Sequence, residues 1–393
     1  MTTHMIKTFH NNLQKKLISF VSLNLMLLEK LSLLNFKNYT EAQMTFSEKF
    51  NCFVGNNGAG KTNILDAIHY ISLCKSYFNS IDSQNIQHEL PFFAIQAWIE
   101  KNGTTDEIYC ALKRGQKKQF KRNKKEYDRL SEHIGIYPLV MISPSDSELI
   151  LDGSEVRRKF IDSIISQYDK HYLDSLISYN HALHQRNALL KYFYEQRHFD
   201  ALSLEVWDDK LIQYGETIIL KRNQFLEEFI PMFNTYYELI SGSNEIASIH
   251  YLISTKGANF KELLQSNLER DKIVHHTTIG PHKDDLEFKL LNSSLKKFAS
   301  QGQQKSYLLA LKLAQFEFVK KKTNTKPLLL LDDIYDKLDE SRFTKLIELV
   351  SSENFGQIFI TDTHPERMKT LFLKSNSKHS IFIVDNGIVN QHG

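Results

Sequence analysis

The eight residues Gly55-Asn56-Asn57-Gly58-Ala59-Gly60-Lys61-Thr62 constrain this chain more than any other stretch. They fit the pattern G-x-x-x-x-G-K-[ST]. An apolar run before them, Phe50 to Val54, reads as a strand, and the amphipathic segment after them, Asn63 to Leu73, reads as a helix. In that setting backbone N–H groups close around phosphate oxygens. Glycines let the backbone approach, the helix N-terminus adds partial positive charge, Lys61 reaches the β- and γ-phosphates, and Thr62 offers a hydroxyl to Mg²⁺. A glycine turn that merely ends in Lys-Thr is the bland alternative, and the flanking pattern argues against it. Such a loop needs a second carboxylate for its metal. Leu328-Leu329-Leu330-Leu331 reads as a buried strand and ends in Asp332-Asp333. Asp332 is placed to meet the Mg²⁺. Asp333, on the other side of the strand end, is placed to orient or deprotonate an attacking water. Without the glycine loop, two adjacent acids would read as a helix cap or a solvated turn.

Composition bounds the rest. A chain of 393 residues with 41% hydrophobic content suits two or three domains around a sizeable core. Its 49 basic and 46 acidic residues leave a net charge of +3, which excludes a charge-driven disordered tail and a histone-like polycation. Any anion-binding surface must be local. Cys52, Cys74 and Cys110 make neither an even disulfide framework nor a CxxC pair, which points to a reducing, cytoplasmic setting and away from structural zinc. Lys15 and Lys16 before the apolar stretch Leu17 to Leu28 imitate a secretory signal, but Ser19, Ser22 and Asn24 interrupt it. It is also too short to span a bilayer, and no membrane partner is expected.

The pattern along the chain is that of an α/β domain split by a helical insertion. Residues 1–25 read as an N-terminal extension or a misassigned start, outside the fold. Residues 26–142 are strand-like with one helix after the glycine loop, and form the first part of the domain. Residues 143–245 form a helical lobe: Ile161, Ile165, Tyr168, Tyr172, Leu176 and Tyr179 fall on one helical face, as do Trp207, Leu211, Tyr214 and Ile218. Its many aromatics read as helix packing, and Pro231 interrupts it. Residues 246–393 complete the domain. They hold strands and long loops, a helix from Gln303 to about Val319, the Leu328 to Leu331 strand and a helix starting near Glu340. A strand from Gln357 to Thr361 and a closing hairpin around Asp385-Asn386-Gly387 follow.

Three weaker elements occur in a telling order. Ser300-Gln301-Gly302-Gln303-Gln304 precedes a helix and offers an anion both backbone donors and a hydroxyl. Asp336-Lys337-Leu338-Asp339 follows the paired aspartates, and His364 follows the strand ending at Thr361. In isolation the first reads as a polar loop and the histidine as a surface residue.

The ordered set resembles the ABC-type ATPase head shared by transporters, SMC proteins and Rad50. That resemblance implies a P-loop α/β head with a mostly helical second lobe inserted, in which two copies sandwich two ATP molecules with Mg²⁺. It further implies that Ser300, Gly302 and Gln303 of one copy act in trans on the γ-phosphate held by Lys61 of the other. Asp339 would lie in the dimer loop, and His364 would be the switch residue. Within that superfamily the chain is similar, from Met26 onward, to the bacterial RecF family of DNA repair proteins. The stretches LSLLNFKNY (31–39), Pro144-Ser145-Asp146, Arg157 to Asp162, Leu204 to Asp208 and Thr277 to Leu286 carry the similarity, with Ser300 to Ser306. Three departures matter, the first being that residues 1–25 have no counterpart in the family. Asp336 stands where the family commonly has serine, and His364 where many members have Thr or Ser, so Thr361 or Thr363 can serve as the sensor instead.

Lys113, Arg114, Lys117, Lys118, Lys121, Arg122, Lys124 and Lys125 place eight cations in thirteen residues, on a hairpin turning near Asn123. They read either as a solvated face or as a site for sequence-independent, salt-sensitive phosphate contact. The resemblance favours DNA. Arg157 and Arg158 read as DNA contacts or as partners of Asp152 or Glu155. The family likeness implies an ATP-driven homodimer that clamps DNA at single-strand gaps, acts with RecO and RecR to load RecA, and is released by slow, DNA-stimulated hydrolysis. The rival is an ABC-type ATPase subunit that serves another partner and does not bind DNA. A long tether of the SMC or Rad50 kind would need heptads, and the chain has none.

Overall fold

The computed structural model describes residues 24–242, 245–335, 340–364, 366 and 378–392. Strands β1 (Met26–Phe36) and β2 (Tyr39–Thr45) form an antiparallel hairpin, and β3 (Phe50–Val54) leads through the glycine loop into α1 (Lys61–Leu73). Then come β4 (Phe92–Lys101), β5 (Thr104–Lys113), β6 (Gln119–Arg122), β7 (Lys125–Glu126) and β8 (Leu139–Ile142). Three long helices follow, α2 (Ser154–Ser166), α3 (Lys170–Gln196) and α4 (Ala201–Ser241). Strands β9 (Ala247–Leu252), β10 (Asp285–Leu290) and β11 (Ser293–Ser294) pair into a small sheet before α5 (Gln301–Thr323). The chain closes with β12 (Leu328–Leu331), α6 (Glu340–Ser351), β13 (Ile358–Asp362), β14 (His379–Asp385) and β15 (Ile388–Gln391).

Two six-stranded sheets make the α/β part. One is antiparallel, in the order β2-β1-β4-β5-β6-β7; the other runs β15-β14-β3-β13-β12-β8 and is parallel except for its edge strand β15. Every residue of β3 and β12 is buried, as expected of a parallel sheet covered on both faces. Side chains alternate between those faces. Leu328 and Leu330 join α1 and the antiparallel sheet in one core, whereas Leu329 and Leu331 join α5 and the helical lobe in the other. This layering puts the ends of β3, β12 and β13 together, where ligands bind in open α/β sheets.

The lobe departs from the pattern in three places. The apolar face from Ile161 to Tyr179 belongs to two helices, because the Asp169 carboxylate accepts from Tyr172 N at 2.9 Å and starts α3 afresh. Pro231 does not interrupt the lobe: α4 runs unbroken for 41 residues. Phe225 and Phe229 before the proline, and Phe233 and Tyr237 after it, are all buried, so packing on both sides offsets the lost backbone bond. Short helices at Phe260–Ser266 and Leu268–Val274 lie where long loops were expected. Asn24, assigned to the extension, joins the fold through its N–H to the Asn324 carbonyl at 2.9 Å. Residues 1–23 lie outside the described residues.

The segment Thr277 to Asp285 is an internal knot. Arg222, 2% exposed, holds Asp162 with both carboxylate oxygens at 2.9 and 3.0 Å, and its Nη1 donates to the Pro281 carbonyl at 2.8 Å. Arg186, wholly buried, bridges Asp208 and Asp271. Arg157 and Arg158 are drawn inward as well. Arg157 pairs with Asp285 at 2.7 Å and donates to the Asp152 carbonyl, and Arg158 donates to the Asp284 carbonyl at 2.6 Å. Glu155 takes Lys159 instead.

Candidate nucleotide-binding site

The glycine loop leaves the central strand β3 with Gly58 and Gly60 in left-handed backbone, φ 81° and 114°. Only glycine adopts these conformations without strain, and the second sets the first N–H groups of α1 toward the loop's interior. Lys61 is 6% exposed and donates from Nζ to the carbonyls of Gly55 and Asn56, at 2.7 and 2.9 Å, so its charge stands inside the loop.

The carboxylate predicted from the leucine run meets the loop directly. Thr62 Oγ1 donates to Asp332 Oδ1 at 2.8 Å, joining the first turn of α1 to the residue that follows β12. Thr361, at the end of β13, donates to the same oxygen at 2.9 Å and accepts from the Asp333 N–H at 2.8 Å. Burial raises the Asp332 pKa above the usual aspartate value, against the opposing pull of the Thr62 and Thr361 hydrogen bonds and of Lys61. Asp333 has a left-handed φ of 49°, a conformation that costs a non-glycine residue roughly 1–3 kcal/mol and is held here by Thr361. Lys61, Thr62, Asn63, Asp333 and Thr361 line one cleft of about 330 Å³ together with the loop glycines.

Of the remaining predicted residues, Ser300, Gly302, Gln303 and His364 are not among those lining that cleft. Ser300 caps α5: its Oγ accepts from Gln303 N at 3.2 Å, and Gln303 Oε1 accepts from Ser300 N at 2.7 Å. This reciprocal capping explains why the helix starts at Gln301 rather than Gln303. The hydroxyl accepts from the helix, so its proton stays available to a ligand facing the helix end. Gln303 Nε2 donates to Glu245 at 2.8 Å, and a Cβ on Gly302 would meet the Arg342 guanidinium at 3.4 Å. Asp339 and Asp336 lie outside the described residues. His364 is 64% exposed and hydrogen-bonded to Thr363; the residue that β13 delivers to the carboxylates is Thr361.

The basic run is dense in sequence and divided in space. A first turn follows Lys113, and the second turn is Asn123-Lys124, both with left-handed φ. Between them β6, four residues long, keeps the two groups about 13 Å apart at roughly 3.3 Å per residue. Lys113, Arg114 and Lys117 are exposed at one end, and Lys124 and Lys125 at the other. Lys118 is spent internally on Asp82 at 2.7 Å and on the Cys74 carbonyl, and Arg122 pairs with Asp106 at 2.7 Å. Lys121 lies half-buried, 6.0 Å from the centre of the Tyr109 ring. Asn38, Tyr39 and Gly387 also touch the glycine loop, and no motif spacing marked them.

Comparison with known proteins agrees with the geometry. A family model described as the RecF/RecN/SMC N terminal domain matches residues 27–390. The DNA replication and repair protein RecF of Flavobacterium johnsoniae is 53% identical over 355 residues, covering 90% of this chain and 99% of its own. That of Bacteroides thetaiotaomicron is 52% identical over 369 residues, covering 94% and 99%. A solved recombination mediator protein RecF with ATP, described within the RecFOR pathway, superposes with a TM-score of 0.86 at 30% identity, covering 96% of this chain and all of its own. An Smc head domain from Pyrococcus furiosus, 19% identical, superposes with a TM-score of 0.53 over 94% of this chain and 96% of its own, and shares the fold alone. With its ABC-type α/β head, its inserted helical lobe and these relatives, the chain belongs to the RecF family of DNA replication and repair proteins.

Proposed function

We propose that this protein is an ATP-switched DNA clamp of recombinational repair. The observation that carries the reading is the junction of Thr62, Asp332 and Thr361, which sets a loop hydroxyl against a strand-end carboxylate beside Lys61. Lys61 would pair with the β- and γ-phosphates of ATP, and the N–H groups of the loop and of α1 would surround them. Thr62 Oγ1 and Asp332 are hard oxygen donors suited to Mg²⁺, which when bound neutralises phosphate charge. Asp333 would take the proton of the attacking water. Ser300, Gly302 and Gln303 of a second copy would supply the capped N-terminus of α5 to the γ-phosphate, with Asp339 and the residues after β13 at the junction. Nucleotide contacts made only across two copies shift the population toward the dimer.

The exposed lysines and Arg114 at the two ends of β6 support DNA binding by phosphate contact. The relatives' name and the RecFOR setting support a role in DNA repair with RecO and RecR, and action at single-strand gaps and the loading of RecA follow from the family likeness. Lys61→Ala is expected to abolish ATP binding. Ser300→Arg is expected to bind ATP like the unaltered chain and to stay monomeric with it. Calorimetric titration and solution mass on both variants decide. Loss of nucleotide binding in both, or an intact ATP-driven dimer in Ser300→Arg, contradicts the two-copy site.

A further inference from the structure

The closing hairpin has no part in the chemistry above, yet it touches the glycine loop. Asn386 and Gly387 have φ of 46° and 81°, the pattern of a two-residue turn that joins β14 tightly to β15. Gly387 is buried although it sits at a turn tip, and its N–H donates to the Ala59 carbonyl at 3.2 Å. A Cβ on Gly387 would stand 2.4 Å from the backbone oxygen of Asn38. The end of β14 presses on the start of the loop as well: a Cβ on Gly55 would stand 2.1 Å from the Val384 carbonyl oxygen.

The other hairpin meets the loop from its own turn between β1 and β2. Asn38 Nδ2 donates to the same Ala59 carbonyl at 3.0 Å, and its Oδ1 accepts from Asn63 Nδ2 at 2.8 Å. The approach is close enough that a Cβ on Gly60 would fall 2.3 Å from Asn38 Nδ2. Buried Tyr39 donates its hydroxyl to the Gly60 carbonyl at 3.0 Å. Lys37, in the same turn, pairs at 2.5 Å with the fully buried Asp66 of α1, which anchors the turn to the helix that the loop enters.

We propose that these two hairpin turns clamp the glycine loop between them, and that Asn38 and Gly387 are positioning residues for nucleotide binding. They act through Ala59 and Gly60 and do not touch the nucleotide. The proposal rests on the nucleotide reading given above. A loop whose N–H groups converge on phosphate binds in proportion to the fraction of time it holds that arrangement, and the shared Ala59 carbonyl is where both hairpins fix it. ATP and ADP both carry phosphates that such a loop grips, so loosening it weakens both alike.

The test is titration of the full chain with ATP and with ADP, alongside its melting midpoint without nucleotide. Gly387→Ala and Asn38→Ala are each expected to weaken both nucleotides about tenfold. Gly103→Ala is the control. Gly103 has a comparable φ of 78° with open space around it, so this variant meets the same backbone strain away from the loop and is expected to keep both affinities. The clamp is overturned if Gly387→Ala and Asn38→Ala bind both nucleotides like the unaltered chain, or if Gly103→Ala loses as much affinity as they do. If the unaltered chain binds neither nucleotide, the nucleotide reading itself fails and the clamp falls with it.

Discussion

Asp333→Asn is expected to lower ATP hydrolysis by at least about a hundredfold, the lower end of what a positioned general base contributes, and to leave ATP binding intact. The substitution keeps size and shape, and asparagine tolerates the left-handed backbone at this position, so Thr361 still receives the N–H of residue 333. Only the proton acceptor is removed. An ATP-driven dimer of this variant should therefore outlive that of the unaltered chain. Thr361→Val is a useful companion because Thr361 supports both aspartates, by donating to the Asp332 carboxylate and accepting from the backbone N–H of Asp333. Steady-state hydrolysis read together with nucleotide titration checks the pair. Undiminished turnover in Asp333→Asn would remove this residue from the chemistry.

The second large effect is on stability. Arg222→Ala leaves Asp162 and Asp284 without their shared cation in the lobe, and breaking a buried pair in this way costs about 3–5 kcal/mol. The penalty arises because Asp284 is wholly buried, so water cannot replace the guanidinium. Denaturant unfolding checks it, and a loss under about 1 kcal/mol would mean the charges relax to solvent. On the two-copy reading proposed above, function is expected to suffer by a second route. Arg222 ties α2, α4 and the Pro281 turn together, so a loosened lobe would present Ser300 less well to a second copy, even where nucleotide binding at Lys61 persists.

What the sequence made legible follows from chemistry that admits few residue types. The glycine loop demands glycines at left-handed positions, and Gly58 and Gly60 occupy them. A strand buried on both faces demands an unbroken apolar run, and β12 is one, so Asp332 was traceable to a strand end. What was not legible depended on distant partners. The basic run reads as a single patch, but pairing of β5 with β6 and of β6 with β7 divides it, and two of its cations meet Asp82 and Asp106. Arg157 finds Asp285 across 128 positions, which no local spacing reveals. Pro231 looked like a break because propensity is local, whereas the packing that holds α4 together is not. His364 follows its strand in sequence, but it is Thr361, one residue before the end of that strand, that meets the Asp332 carboxylate.

Nucleotide is expected to close two copies of this chain around DNA. Binding to a gapped duplex with and without ATP and Mg²⁺, across a salt series and with mass followed in the same samples, tests it most directly. The account predicts a monomer with weak DNA affinity in the absence of ATP. With ATP it predicts a dimer that retains the duplex, its affinity falling steeply as salt rises. A chain that binds ATP and dimerises yet never holds DNA would contradict the clamp and leave an ATPase that serves a different partner.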